Sequence, residues 1–128
     1  MKKYIMILVS IIMIMGLTGC EEQGMSYTKI SMKEAVAMME TEENYIILDV
    51  RTAEEFTEKH IPNAINIPNE IIGCEEFEEL PDKNQLILVY CRSGNRSKQA
   101  SEKLAALGYT NIYEFGGIND WTGETVSE

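Results

Sequence analysis

The sequence predicts an α/β fold built on a parallel sheet of five strands, and three observations predict it. Short apolar runs alternate along the chain with segments of helical periodicity. Two of those runs, Tyr45-Ile46-Ile47-Leu48-Asp49-Val50 and Leu86-Ile87-Leu88-Val89-Tyr90, are nearly continuous, as in strands covered on both faces. Two capping boxes, Ser31-Met32-Lys33-Glu34 and Thr52-Ala53-Glu54-Glu55, start helices directly after strand-like segments.

Each element follows in order. Tyr27 to Ile30 is a short first strand. Behind the Ser31 cap, Met32, Ala35, Val36 and Met39 recur on one helical face, so these methionines are core and not a metal site. Tyr45 to Val50 is the second strand. A short helix runs from Thr52 through Phe56 to Lys59, and Pro62 blocks its continuation. Ala64 to Ile67 is a third strand, closed by Pro68. From Asn69 to Leu80 the pattern is ambiguous: Ile71, Cys74, Phe77 and Leu80 fit one helical face, and Gly73 argues against a helix. Pro81 and Asp82 mark a turn before the fourth strand, Leu86 to Tyr90. Ser97 to Leu107 is helical, with Ala100, Leu104 and Leu107 inward and Gly108 as its stop. Asn111 to Phe115 is the fifth strand, Gly116-Gly117 a turn, and Ile118 to Trp121 a last short helix.

Composition narrows the function. A chain of 128 residues with 45% hydrophobic content is one domain with a sizeable core. Twenty-one acids against 11 bases, net charge −10, exclude the basic face that a nucleic-acid partner needs. Three cysteines and one histidine give neither a disulfide framework nor zinc-ligand spacing, so no metal and no cofactor is expected.

The chemistry-bearing stretch is Cys91-Arg92-Ser93-Gly94-Asn95-Arg96-Ser97. Cys91 stands at the carboxyl end of a buried strand, where parallel sheets bind ligands. Thiolate is the nucleophilic form of cysteine. Three features favour it here: permanent charge on Arg92 and Arg96, the positive end of the helix starting near Ser97, and the tight curve that Gly94 permits, which lets successive amides point at one anion. The bland alternative, a packed thiol before an ordinary polar loop, must treat that grouping as chance.

These residues resemble the CRxGxR active loop of rhodanese domains. Three further segments extend the resemblance. Leu48 to Phe56 (LDVRTAEEF) is similar to the family's LDVRxxxEF, His60 to Pro68 (HIPNAINIP) to its HIPGAxNIP, and Gly116 to Trp121 (GGINDW) to its GGxxxW. Together they cover most of residues 27–121. The resemblance implies a five-stranded parallel sheet flanked by helices on both faces. It also implies sulfane-sulfur transfer through a Cys91 persulfide. Arg92, Ser93, Gly94, Asn95 and Arg96 then form the loop that binds a small anionic donor. A thiol or cyanide is the acceptor, with a thioredoxin-like protein among the candidates. Asp49, Arg51 and Ser97 are read as loop support, with Asp49 hydrogen-bonding to the loop and Arg51 paired with a helix acid. His60 is read as a turn-supporting residue and Trp121 as a core plug. Asn63 replaces the usual glycine, which a left-handed asparagine allows. Lys59 also departs from a common glycine. Cysteine phosphatases use a C-x5-R loop, and Cys91 to Arg96 is C-x4-R, one residue short for phosphate. A thiol-redox function, with Cys91 bonding Cys74, and a binding module without efficient thiosulfate turnover are the remaining alternatives.

The N-terminus reads as a targeting segment. Lys2 and Lys3 precede an apolar run from Tyr4 to Leu17, which as a helix is about 21 Å long. That falls short of the roughly 30 Å hydrocarbon core. Leu17-Thr18-Gly19-Cys20 resembles the lipobox of bacterial lipoproteins. Residues 1–19 are therefore expected to be a removed signal peptide, 20–26 a lipidated Cys20 with its polar tether, and 27–128 the domain. The domain is then extracytoplasmic and held to a bacterial membrane by its lipid.

Overall fold

The computed structural model describes residues 26–73 and 77–127. Five strands form one sheet in the order β1-β5-β4-β2-β3, every neighbouring pair parallel. They are β1 (Thr28–Lys29), β2 (Tyr45–Asp49), β3 (Ile65–Asn66), β4 (Leu86–Cys91) and β5 (Ile112–Gly117). The helices are α1 (Met32–Thr41), α2 (Ala53–Glu58) and α3 (Asn95–Ala106), with single 3-10 turns at Asn69–Ile71 and Ile118–Asp120. The strands at the two sheet edges are shorter than expected, and β4 and β5 run further toward the loop that follows β4.

Both capping boxes form. Ser31 Oγ accepts the Glu34 amide at 3.0 Å while Glu34 Oε1 accepts the Ser31 amide at 2.8 Å. Thr52 and Glu55 repeat the exchange at the head of α2. Asn63 takes φ 72°, the left-handed angle its substitution for glycine requires.

Alternation along β4 sorts the core into two layers, because successive strand side chains point to opposite faces. Ile87, Val89 and Cys91 join Leu48, Val50 and Ile112 under Ala100 and Leu104 of α3. Leu88 and Tyr90 join Ile47 and Phe115 under Ala35 of α1, with Phe56 of α2 packed alongside. Helices thus cover both sheet faces. Met32 and Met39 pack against the second layer as core. Among the described residues of the ambiguous segment one 3-10 turn forms: Ile71 is exposed, while Ile72 and Leu80 are buried. Ile71 therefore does not share an inward face with Leu80. Cys20 and Cys74 lie outside the described residues.

Between β4 and β5 the register shifts: Val89 pairs with Glu114, and Cys91 pairs with Gly117. β5 therefore carries an extra residue there, and Gly116 absorbs it at φ 98°. Glu114 shares the parity of Ile112 and so faces the α3 side, the side of Cys91.

Candidate active site

Cys91 ends β4 with its side chain buried, 1% exposed. The chain then turns back within three residues. Gly94 makes that turn possible at φ 113°, a left-handed angle that costs other residues energy, and it caps α3. The helix begins at Asn95, two residues earlier than the sequence pattern placed it, since polar Asn95 and Arg96 hide the start of the periodicity. The consequence is chemical. The Gly94 amide donates to Cys91 Sγ at 3.0 Å, and the sulfur faces the positive end of a helix of 12 residues.

Gly117 holds the loop from below. A Cβ there would stand 2.0 Å from the Arg92 carbonyl oxygen and 2.6 Å from the Ser93 nitrogen, so only glycine admits the loop. The Asn119 amide donates to that same Arg92 carbonyl at 3.2 Å.

The two loop arginines share one partner. Arg96 donates to both Glu55 oxygens, at 2.8 and 3.2 Å, and Arg92 Nε donates to Glu55 Oε2 at 3.0 Å. Glu55 also closes the α2 capping box, so this one carboxylate ties α2 to the loop after β4. The Arg96 guanidinium, opposed by burial and reinforced by the Thr52 amide and Arg92, holds the Glu55 carboxyl well below the usual carboxylate range. Glu55 in turn raises Arg96. Arg92, Arg96 and Glu55 together leave one net positive charge at the loop. Glu55 escaped sequence reasoning as a site residue. Its signal was the capping box inside the LDVRTAEEF segment, which placed it at the start of a helix beside the strand ends.

Asp49 and Arg51 are not where the sequence reading put them. Asp49 belongs to the layer opposite Cys91. Arg51 Nε bonds its carboxylate at 3.0 and 3.1 Å, Arg51 NH2 bonds it at 2.7 Å, and the Tyr90 hydroxyl donates to it at 2.7 Å. Arg51 also donates to the Lys59 carbonyl at 2.7 Å. Arg51 thus pairs with Asp49 and not with a helix acid, because Val50 between them points to the other layer and leaves the two on one face. Burial works against the Arg51 charge, and Asp49 more than restores it. The Tyr90 phenol is pushed up by burial and by Asp49. This cluster fixes Tyr90, the residue before Cys91, and bonds to no loop residue among those described. His60 stacks on Phe56 at 3.7 Å between ring centroids, with Nδ1 2.8 Å from the Phe56 carbonyl oxygen. Trp121 is half-buried at the rim of the second layer, its Nε1 donating to the Glu124 carbonyl.

Ser97 is fully buried in the first turn of α3. Its hydroxyl lies 3.5 Å from Cys91 Sγ and 2.5 Å from Glu114 Oε2. Glu114 is fully buried too, accepts the Gly116 amide at 3.0 Å, and meets Lys29 Nζ at 3.4 Å. Sequence reasoning missed Glu114, although an acid at an inward position of a predicted strand was the available signal. Ser93 and Asn95 are exposed and, with Gly94, Lys98 and Lys29, line an open groove of about 700 Å³ beside the loop. Among the described residues no three His, Cys, Asp or Glu side chains gather as a metal would require.

Residues 31–124 match the family described as Rhodanese-like domain. The chain is 40% identical over 73 residues to the thiosulfate sulfurtransferase PspE of Escherichia coli strain K12, covering 57% of this chain and 70% of that protein. It is 35% identical over 98 residues to the thiosulfate sulfurtransferase GlpE of Actinobacillus succinogenes, covering 76% and 86%. A solved rhodanese with anions from E. coli superposes with a TM-score of 0.60 at 36% identity, over 66% of this chain and 99% of that one.

Proposed function

Since the chain belongs to the family of rhodanese-like domains, we propose that it is a sulfurtransferase that carries sulfane sulfur as a persulfide on Cys91. The Cys91 thiolate attacks the outer sulfur of a donor such as thiosulfate. A sulfur–sulfur bond forms to Cys91, the donor's own sulfur–sulfur bond breaks, and sulfite leaves with the bonding pair. Cyanide or a thiol then attacks the outer sulfur of the persulfide, and Cys91 leaves as thiolate.

The observation that carries this reading is the Gly94 amide 3.0 Å from Cys91 Sγ, at the junction of a central strand and a helix of 12 residues. Fixed amide dipoles need no reorganisation to stabilise a sulfur anion. The 1% exposure of Cys91 favours a donor with a slim terminal sulfur. Arg92 and Arg96 sit at the rim, where they draw an anionic donor toward the loop. The same reading takes the acceptor to be a small thiol or a thioredoxin-like protein. It places the domain outside the cytoplasm on a lipid at Cys20, which labelling with fatty acid in wild type and not in Cys20→Ser would support.

The test is turnover from a panel of thiosulfate, an alkyl persulfide and inorganic polysulfide, with Cys91→Ser beside the wild type. Thiocyanate formation from at least one donor, lost in Cys91→Ser, is expected. A protein that turns over none of them and forms a Cys91–Cys74 disulfide instead would replace sulfur transfer with thiol redox chemistry.

A further inference from the structure

A buried carboxylate stands two hydrogen bonds from the reactive sulfur, and sulfur transfer as described above makes no use of it. The chain of contacts runs from Cys91 Sγ to Ser97 Oγ at 3.5 Å and from Ser97 Oγ to Glu114 Oε2 at 2.5 Å. Ser97 has one proton and several acceptors in reach, the Gly94 carbonyl at 3.1 Å and the Gly116 carbonyl at 3.3 Å among them. The carboxylate is the nearest and the only charged one of these, so it takes that proton. The serine oxygen is then left as the acceptor for the thiol hydrogen.

We propose that Cys91 and Glu114 share a single proton through the Ser97 hydroxyl. In one form Cys91 is a thiol donating to Ser97, and Ser97 donates to the Glu114 carboxylate. In the other, the S–H bond has broken and its proton is on the serine oxygen. The serine's former proton is on Glu114 Oε2, and the Ser97 O–H now donates to the thiolate. No charge enters or leaves the site. The thiolate so formed has two donors, Gly94 N–H and Ser97 O–H, and the proton moves among residues that are 1% exposed or less.

The groups that face this pair are few. Lys29 of β1 stands 3.4 Å from Glu114 Oε1 with its side chain 61% exposed. Tyr27, just before β1, feels Glu114: its phenol is raised by burial first, then by Glu102 of α3 and by Glu114. Arg96, in the first turn of α3, feels Cys91. The Gly116 amide fixes Oε2. Lys29 and Arg96 therefore each attend one end of the shared-proton chain.

The proposal rests on Cys91 being the working thiol but is read without any sulfur donor or acceptor. The rate of Cys91 alkylation by iodoacetamide is followed from about pH 5 to about pH 10, with the Cys91 peptide identified by mass. A proton-sharing pair titrates in two macroscopic steps. Wild type is expected to show a low-pH rise, a plateau below the final rate, and a second rise. Glu114→Gln should give one step, reaching the full rate directly. Ser97→Ala should lose the plateau, and Ser97→Thr, which keeps a hydroxyl, should restore it. A wild-type profile with one step superimposable on that of Glu114→Gln overturns the proposal, as does a plateau that survives in Ser97→Ala. If Glu114→Gln does not fold, the Ser97→Ala and Ser97→Thr pair decides. Loss of the plateau with intact thiocyanate formation concerns the shared proton alone, whereas a two-step profile in a protein that transfers no sulfur supports the shared proton and overturns only the sulfurtransferase reading.

Discussion

The carbonyl oxygen of Arg92 occupies the space where a side chain on Gly117 would have to be, 2.0 Å from an ideal Cβ. The loop after β4 is therefore seated directly on the backbone of β5. The contact joins the second glycine of GGINDW to the first residue after the cysteine, far apart in sequence and paired only through the sheet register Cys91↔Gly117.

Gly117→Ala should accordingly displace the loop. Gly117 has φ −145°, which any residue adopts, so the penalty is one of space alone. Overpacking against backbone of this kind costs about 1–3 kcal/mol. Thermal unfolding should show that loss, and sulfur transfer should fall further than stability does, because Gly94 N–H moves off the sulfur. A variant with wild-type Tm and turnover would show that the loop sits elsewhere.

Arg96→Ala should impair donor use more than Arg92→Ala. Arg96 is the more buried, 30% against 54% exposed, and grips Glu55 with both terminal nitrogens. Removing a charge-assisted bond costs about 1.5–3 kcal/mol, roughly tenfold or more in kcat/KM for thiosulfate. Arg92→Ala should stay within a few-fold, and the order of the two kcat/KM values checks the assignment.

Glu55 makes stability depend on pH in a defined direction. Its folded carboxyl is held well below 4.5, the ordinary value it regains on unfolding. Between those two values the unfolded chain binds the extra proton, so stability rises with pH through that window. The contribution is complete above about pH 4.5 and is lost as pH falls toward the folded value. Unfolding midpoints of wild type and Glu55→Gln should differ most above that pH and converge as the solution is acidified. A constant difference would show that Glu55 acts without its charge.

How far the sequence carries can be traced residue by residue. Ser31, Thr52 and Gly108 mark helix ends because capping is local and leaves a local pattern. The two long strands are readable because both faces are covered, which removes polar alternation. Cys91 and its loop stand out because a thiol, two arginines and a glycine converge within seven positions. Long-range pairings are not readable in the same way. Glu55 serves its own capping box and the two loop arginines together, and only the packing of α2 against the strand ends joins those roles. Arg51 finds Asp49 because both face the same layer, whereas their loop role was inferred from proximity to a strand end. Glu114 faces the α3 side by strand parity alone, but its meeting with Ser97 depends on how α3 packs across β5, which no local pattern records.

The central claim, that Cys91 carries transferable sulfur, is tested most directly by weighing the Cys91 peptide. After treatment of the protein with thiosulfate and removal of excess donor, that peptide should gain the mass of one sulfur atom. Cyanide should return it to its original mass and release an equivalent amount of thiocyanate. Cys91→Ser should do neither, and Cys74→Ser should do both. An unmodified Cys91 peptide in a protein that still forms thiocyanate, or near-normal transfer by Cys91→Ser, would contradict the account.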